Sequence, residues 1–137
     1  MAAVVSLKRA RVTEDSLFEY LYKWYGDLVR AEDQFSVWDC YSESRNIYVE
    51  LKCRRTHYDQ LLIEKSKYDR LSTAAAARSM IPVYICSTPM GIWGFSLPRT
   101  QITWEERQMP ASTDFDNQRK VIKTVGFMDT SIGYRFI

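Results

Sequence analysis

The sequence predicts an α/β domain, a mixed central sheet flanked by helices, and three observations lead there. Apolar residues recur at helical spacing over roughly 14 to 30 and again from Tyr58 to about Met80. Each of these segments is followed by two strand-like runs rich in Val, Ile, Tyr, Phe and Trp, joined by turn residues. The resulting order, α-β-β-α-β-β plus a tail, is that of helices covering a mixed sheet. With 137 residues, 46% hydrophobic and 14% aromatic, the chain suits one compact domain over 1–137.

The first helix starts at Thr13, whose hydroxyl suits an N-cap, with Glu14 and Asp15 in the first turn where the helix dipole favours acids. Ser16 with Glu19 forms a rival capping box that starts the helix later. Leu17, Leu21, Trp24 and Leu28 mark its apolar face. "QFSVWDCYSESRNIYVELKC" then reads as two strands, with Ser42 to Asn46 supplying the turn. The second helix carries Leu61, Tyr68, Leu71 and Ala75 on one side and ends in "AAAA", a strong helix former. "IPVYICS" and "GIWGFSL" make a second strand pair around Ser87 to Gly91. Beyond Pro98, "TWEERQMPASTDFDNQRK" reads as polar and irregular, and "VIKTVGFM" as a strand or a short helix.

Composition narrows the chemistry. The longest apolar runs fall far short of the ~18 residues that cross a bilayer, and the four-residue apolar patch near the N-terminus is shorter than the ~7–15 of a secretory core. A soluble, cytoplasmic protein without a membrane partner is expected. Cys40, Cys53 and Cys86 form no CxxC pair, so neither a disulfide framework nor a zinc site is indicated, and buried reduced thiols are expected. One histidine, His57, leaves little from which to build a Ser-His-Asp or Cys-His enzyme. The net charge of +2 does not announce nucleic acid, but basic runs stand at 8–11, 52–55 and 119–123.

The chemistry gathers in "YVELKCRR", residues 48 to 55. Ile47, Val49, Leu51 and Cys53 form one strand face; Tyr48, Glu50 and Lys52 form the other. Centring the hairpin turn between Ser44 and Arg45 pairs Tyr41 with Tyr48 and Asp39 with Glu50, with Cβ atoms ~4.5–5.5 Å apart on one face. Lys52 follows on that face ~6.5–7 Å along the strand. A one-residue slip would separate the carboxylates. Two carboxylates this close repel, and a divalent cation between them is the economical remedy. Mg²⁺ is typically held by one or two carboxylates together with phosphate oxygens. Lys52 then suits the orientation or deprotonation of an attacking water, and Arg54 and Arg55 suit flanking phosphates. The bland alternative is an exposed strand face with accidental charge pairs.

Asp39, ten intervening residues, then Glu50-Leu51-Lys52, set between two helices, resembles the core signature of the PD-(D/E)XK nuclease superfamily over about residues 10 to 97. Trp38 stands where the signature has proline. The resemblance implies a restriction-endonuclease-like core, with Asp39, Glu50 and the Leu51 carbonyl as Mg²⁺ ligands (Mn²⁺ as substitute) and Lys52 as the catalytic lysine. It also implies a glutamate from the first helix. Glu14, on the helix face shared with Leu17 and Leu21, is preferred to Glu19. On the second helix, Lys65 at the centre of the apolar face and Tyr68 are candidates to reach the substrate. The tail resembles segments of small phage-type members, and its Arg119, Lys120 and Lys123 are candidates to cradle DNA.

The expected activity is hydrolysis of DNA phosphodiesters by a homodimer. A Holliday-junction-resolvase-like or phage recombination nuclease comes first, acting in a host cytoplasm if viral, and a small homing or restriction-like endonuclease next. The rivals are a catalytically idle nuclease-fold module for DNA binding or assembly, and a partner-binding protein with an accidental ExK.

Overall fold

The computed structural model describes residues 12–32, 38–111 and 119–137. The basic run at 8–11, the start of the expected first strand and segment 112–118 lie outside these residues. Helix α1 spans Glu14–Tyr25. Thr13 is its N-cap, accepting from the Ser16 N–H while the Ser16 hydroxyl accepts from the Thr13 N–H, so Ser16 closes the capping box rather than starting the helix. The helix ends earlier than its apolar spacing suggests. Gly26, at φ 85°, turns the chain out with its N–H on the Tyr22 carbonyl, and Leu28 is buried from the loop beyond.

The central sheet has six strands in the order β1-β2-β3-β5-β6-β9. These are β1 (Val29–Arg30), β2 (Cys40–Ser42), β3 (Ile47–Cys53), β5 (Ile81–Thr88), β6 (Gly91–Ser96) and β9 (Tyr134–Arg135). Only the β3–β5 pairing is parallel, as the crossover through α2 (Lys65–Ala77) demands; all other neighbours are antiparallel. The β2–β3 hairpin has the expected register, Tyr41 opposite Tyr48. Its turn is tied by Asp27, which accepts from the Ser42 hydroxyl (2.6 Å) and the Ser44 N–H (2.9 Å), and Asn46 takes the left-handed conformation at φ 60°.

A second sheet, β4-β8-β7, departs from the expected arrangement. Residues Gln60–Glu64 form strand β4 and not the opening of the second helix. Leu61 and Ile63 are buried in alternation, and β4 pairs along its length with β8 (Lys120–Asp129). A partner some sixty residues downstream thus overrides local helical spacing. The stretch read as irregular is strand β7 (Thr103–Pro110), paired with β8 residue for residue. Its polarity reflects an edge position: Trp104 is half-buried, whereas Glu105, Glu106, Arg107 and Gln108 are exposed. Gly126 of β8 permits the close approach, since a Cβ there would fall 2.7 Å from the Trp104 ring.

The central sheet therefore separates two cores. On one side α1 places Leu17 and Leu21 over Val49, Leu51, Val83 and Ile85. On the other, α2 and the second sheet place Leu71, Ala75, Leu61, Ile63 and Met128 against Tyr48, Tyr84, Trp93 and Phe95. Cys40 and Cys86 are buried thiols and Cys53 is half-buried, all free. Among the described residues, no helix is long and apolar enough to cross a membrane.

Candidate active site

Strand β3 is buried on both faces, so its alternate face can carry Glu50 only if something there accepts a carboxylate. Glu50 is 8% exposed, which excludes the solvated strand face of the bland alternative. Asp39 lies one residue ahead of β2 with its N–H on the Val49 carbonyl (2.8 Å), one residue out of the Cys40–Val49 register, so the regular ladder ends at Cys40 and a hydrogen bond between the two carboxyls is what joins Asp39 to Glu50. The Asp39 Oδ2 accepts from the Leu51 N–H at 2.6 Å, where the β2 ladder has run out. A strand residue's C=O points to the same side as its N–H. The Leu51 carbonyl therefore faces the side on which Asp39 stands.

The charges follow from burial. Burial pushes the Asp39 carboxyl up to about 6, and the Glu50 charge and a hydrogen bond between the two carboxyls push the same way, against the Leu51 N–H and Lys67. Burial, then the cations of Arg54 and Lys67, lower the Lys52 pKa below that of an ordinary lysine. Glu50 is held by Lys67, whose Nζ donates to Oε1 at 2.8 Å. Burial works against that ammonium, but the hydrogen bond and charge of Glu50, backed by Asp39 and Glu64, more than offset it and raise its pKa.

Glu50, Lys52 and Lys67, though not Asp39, open into a cavity of about 520 Å³. Glu50, Lys52 and Arg54 line it from β3 and just beyond, Glu64 and Lys67 from the β4–α2 junction, and Lys123 from β8. Met109, Pro110 and Ala111, at the end of β7, form its far wall. Lys123 pairs with Glu64 at 2.7 Å, a bond within the second sheet between its neighbouring strands β8 and β4 at the cavity wall. Arg54 gives one guanidinium N–H to the Leu62 carbonyl (2.9 Å), which the Tyr84 hydroxyl also reaches (3.1 Å). Arg55, Arg119 and Lys120 are exposed, Lys120 opposite Pro110 in the β7–β8 ladder.

The other expected residues stand apart from the cavity lining. Glu14 is paired with Arg30 (3.4 Å); burial, then the charge of Asp39, raise its pKa, so it lies within electrostatic reach of the acid pair. Glu19 is exposed. The Lys65 ammonium is bound to Asp69 (3.0 Å) and sits 4.9 Å from the Trp104 ring centroid and 5.6 Å from that of Tyr68. Tyr68 meets Trp104 edge-on at 5.1 Å. Lys65 and Tyr68 thus bind α2 to the second sheet, and Lys67 takes the place at the acid pair. The signal for Lys67 was available in its i, i+4, i+8 alignment with Leu71 and Ala75; phasing the helix from Leu61, which is a strand residue, conceals it.

Among the described residues no cluster of three or more His, Cys, Asp or Glu side chains is poised to hold a metal ion. Two mutually repelling carboxylates and a strand carbonyl are nevertheless hard oxygen donors of the kind Mg²⁺ or Mn²⁺ takes when water and phosphate complete its shell. The residues present fit such an ion.

No known protein family and no curated relative matches the sequence. Among solved structures, the chain is similar to Hjc from Archaeoglobus fulgidus, a Holliday junction resolvase from an archaeal hyperthermophile. The TM-score is 0.59 at 16% identity, over 88% of this chain and 94% of that one. The restriction-endonuclease-like fold expected from the sequence, a mixed central sheet flanked by helices, is thereby the fold of this chain.

Proposed function

We propose that the chain is a metal-dependent endonuclease that hydrolyses DNA phosphodiesters, with branched DNA of the Holliday-junction kind as its first substrate class. The observation that carries this reading is the Asp39–Glu50 pair, two carboxylates opposed in a largely buried position with Lys52 beside them and a cation-lined cavity in front. Opposed like charges cost stability, and the cost is explicable where a cation and a phosphodiester are to be held.

A bound Mg²⁺ or Mn²⁺ would supply a more acidic water and neutralise charge on the phosphoryl group. Asp39 and Glu50, with the Leu51 carbonyl, would hold it. Lys52 has its charged form disfavoured by burial and by Arg54 and Lys67, and from its place beside Glu50 it would orient the attacking water in line or assist its deprotonation. Arg54 keeps guanidinium donors beyond the one spent on Leu62, and with Arg55 it would receive the flanking phosphates. Lys123, Arg119 and Lys120 extend the basic rim along β8, where they would meet the DNA backbone. Glu14 would add its carboxylate from α1 by reorienting away from Arg30. Lys65 and Tyr68 would act from behind, fixing the α2–β7 contact that shapes the cavity.

The overlap with a resolvase along nearly the whole of both chains supports branched DNA ahead of a homing or restriction-like duplex site. Action as a homodimer would present two such sites to two strands. The test is cleavage of duplex, flap and four-way junction DNA in Mg²⁺, with Mn²⁺ titrated calorimetrically into the same protein. Metal-dependent junction cleavage is expected. Absence of metal binding would end the nuclease reading, and binding without cleavage of any substrate would identify an idle nuclease-fold module.

A further inference from the structure

Lys67 stands where the acid pair meets the substrate side of the cavity. Its partner is the more buried of the two: the Glu50 side chain is 10% exposed on a central strand, whereas the Lys67 side chain is 45% exposed on the first turn of α2. That turn is unusual. It carries Lys65 and Lys67 and no acid, and its N-cap, Glu64, makes no side-chain capping hydrogen bond. Positive charge at a helix N-terminus opposes the dipole, so Lys67 is poorly placed by its own helix and is retained by Glu50. Phosphate oxygens would suit the same turn better than a second lysine does.

We propose that Lys67 is an exchangeable counter-ion: it neutralises Glu50 in the metal-free protein, leaves it when a divalent cation binds, and then grips a phosphate of the bound strand. The inference rests on the nuclease reading and deepens it. Lys67 holds a Glu50 oxygen at 2.8 Å, and a cation at the same carboxylate would draw on the same negative charge, so lysine and metal compete for it. The competition ends when DNA offers Lys67 another anion. Metal and DNA therefore favour each other's binding through one side chain, and in the absence of DNA Lys67 weakens the metal site.

Mn²⁺ titrated calorimetrically into the full chain without DNA tests this. Lys67→Gln should bind Mn²⁺ about five- to tenfold more tightly than wild type. Lys67→Arg, which keeps the charge and can engage both Glu50 oxygens, should bind it more weakly than wild type. Arg70→Gln removes a charge from an exposed position of the same helix without touching Glu50 and should leave the affinity unchanged. With junction DNA at saturating Mn²⁺, Lys67→Gln should show a raised KM. Equal or weaker Mn²⁺ affinity in Lys67→Gln, or an equal gain in Arg70→Gln, overturns the exchange. If Lys67→Gln does not fold, tighter binding by Lys67→Arg overturns it instead. A wild type that binds no Mn²⁺ overturns the nuclease reading as well, whereas a wild type that binds and cleaves, with unchanged affinity in Lys67→Gln, overturns the exchange alone.

Discussion

Strand β3 shows one face to α1 and the other to α2, and the two faces are built on opposite rules. Toward α1, Ile47, Val49 and Leu51 meet Leu17, Leu21, Val83 and Ile85 in a dry apolar core. Toward α2, Tyr48 is packed but Glu50 and Lys52 open into a cavity lined by charge. Fully burying one large aliphatic side chain contributes about 1.5–3 kcal/mol, so the apolar face holds the strand in place while the other face bears the buried carboxylate of Glu50 with Lys52. Stability and chemistry are thus separated across the thickness of one strand.

That separation can be broken by mutation. The largest effect is expected at Glu50→Gln, which removes the charge and keeps the shape. Junction cleavage in Mg²⁺ should fall by at least about 10³-fold, or ~4 kcal/mol in the barrier, with the melting temperature unchanged or raised. On the opposite face, Leu21→Ala, at a side chain 0% exposed, should cost about 3 kcal/mol in urea denaturation. Its cleavage rate below the transition should be that of the wild type; a large loss of rate in the folded protein would show that the faces are not independent.

Lys52→Ala should slow cleavage about a hundredfold, near 2.7 kcal/mol, while Mn²⁺ affinity persists. Wild-type cleavage by this variant would remove the lysine from the mechanism. A smaller effect distinguishes the acid pair by pH. Because the folded pKa of Asp39 is about 6, above its free value of 3.8, the metal-free protein binds more protons than the unfolded chain between those values. Its stability therefore falls as pH rises through that window. Asp39→Asn retains an acceptor for the Leu51 N–H and should gain about 1 kcal/mol over wild type at pH 8 but not at pH 4, in melts with a chelator present; the figure allows for partial solvent screening. The smallest change is expected at the Lys123–Glu64 clasp, whose partners are each 27% exposed. Lys123→Ala should weaken DNA binding a few-fold and lower its salt slope by about 1.

Much of the site can be read from the chain because its parts are local. Asp39, Glu50 and Lys52 sit on one hairpin, where a period of two and a short polar turn settle which side chains share a face. The Thr13 cap and the β5–β6 pair are local in the same way. Lys67 was not legible by the same means. Leu61 and Ile63 have spacing that a helix or a strand can use, and taking them into the helix shifts its phase by two residues, from Lys67 to Lys65. Trp104 was similarly hidden, because an edge strand with one half-buried face reads as polar loop.

The amino-acid sequence by itself determined the α/β class, the register of the β2–β3 hairpin and the place of Glu50 and Lys52 on one strand face beside Asp39, since each depends on neighbours within a few residues. Only the tertiary structure decided that Lys67 neutralises Glu50, that Glu64 and Lys123 meet in the cavity wall and that Lys65 turns away to Trp104. Those contacts require β4 to find β8, and that choice depends on which distant strand buries Leu61 and Ile63, a matter no local pattern encodes.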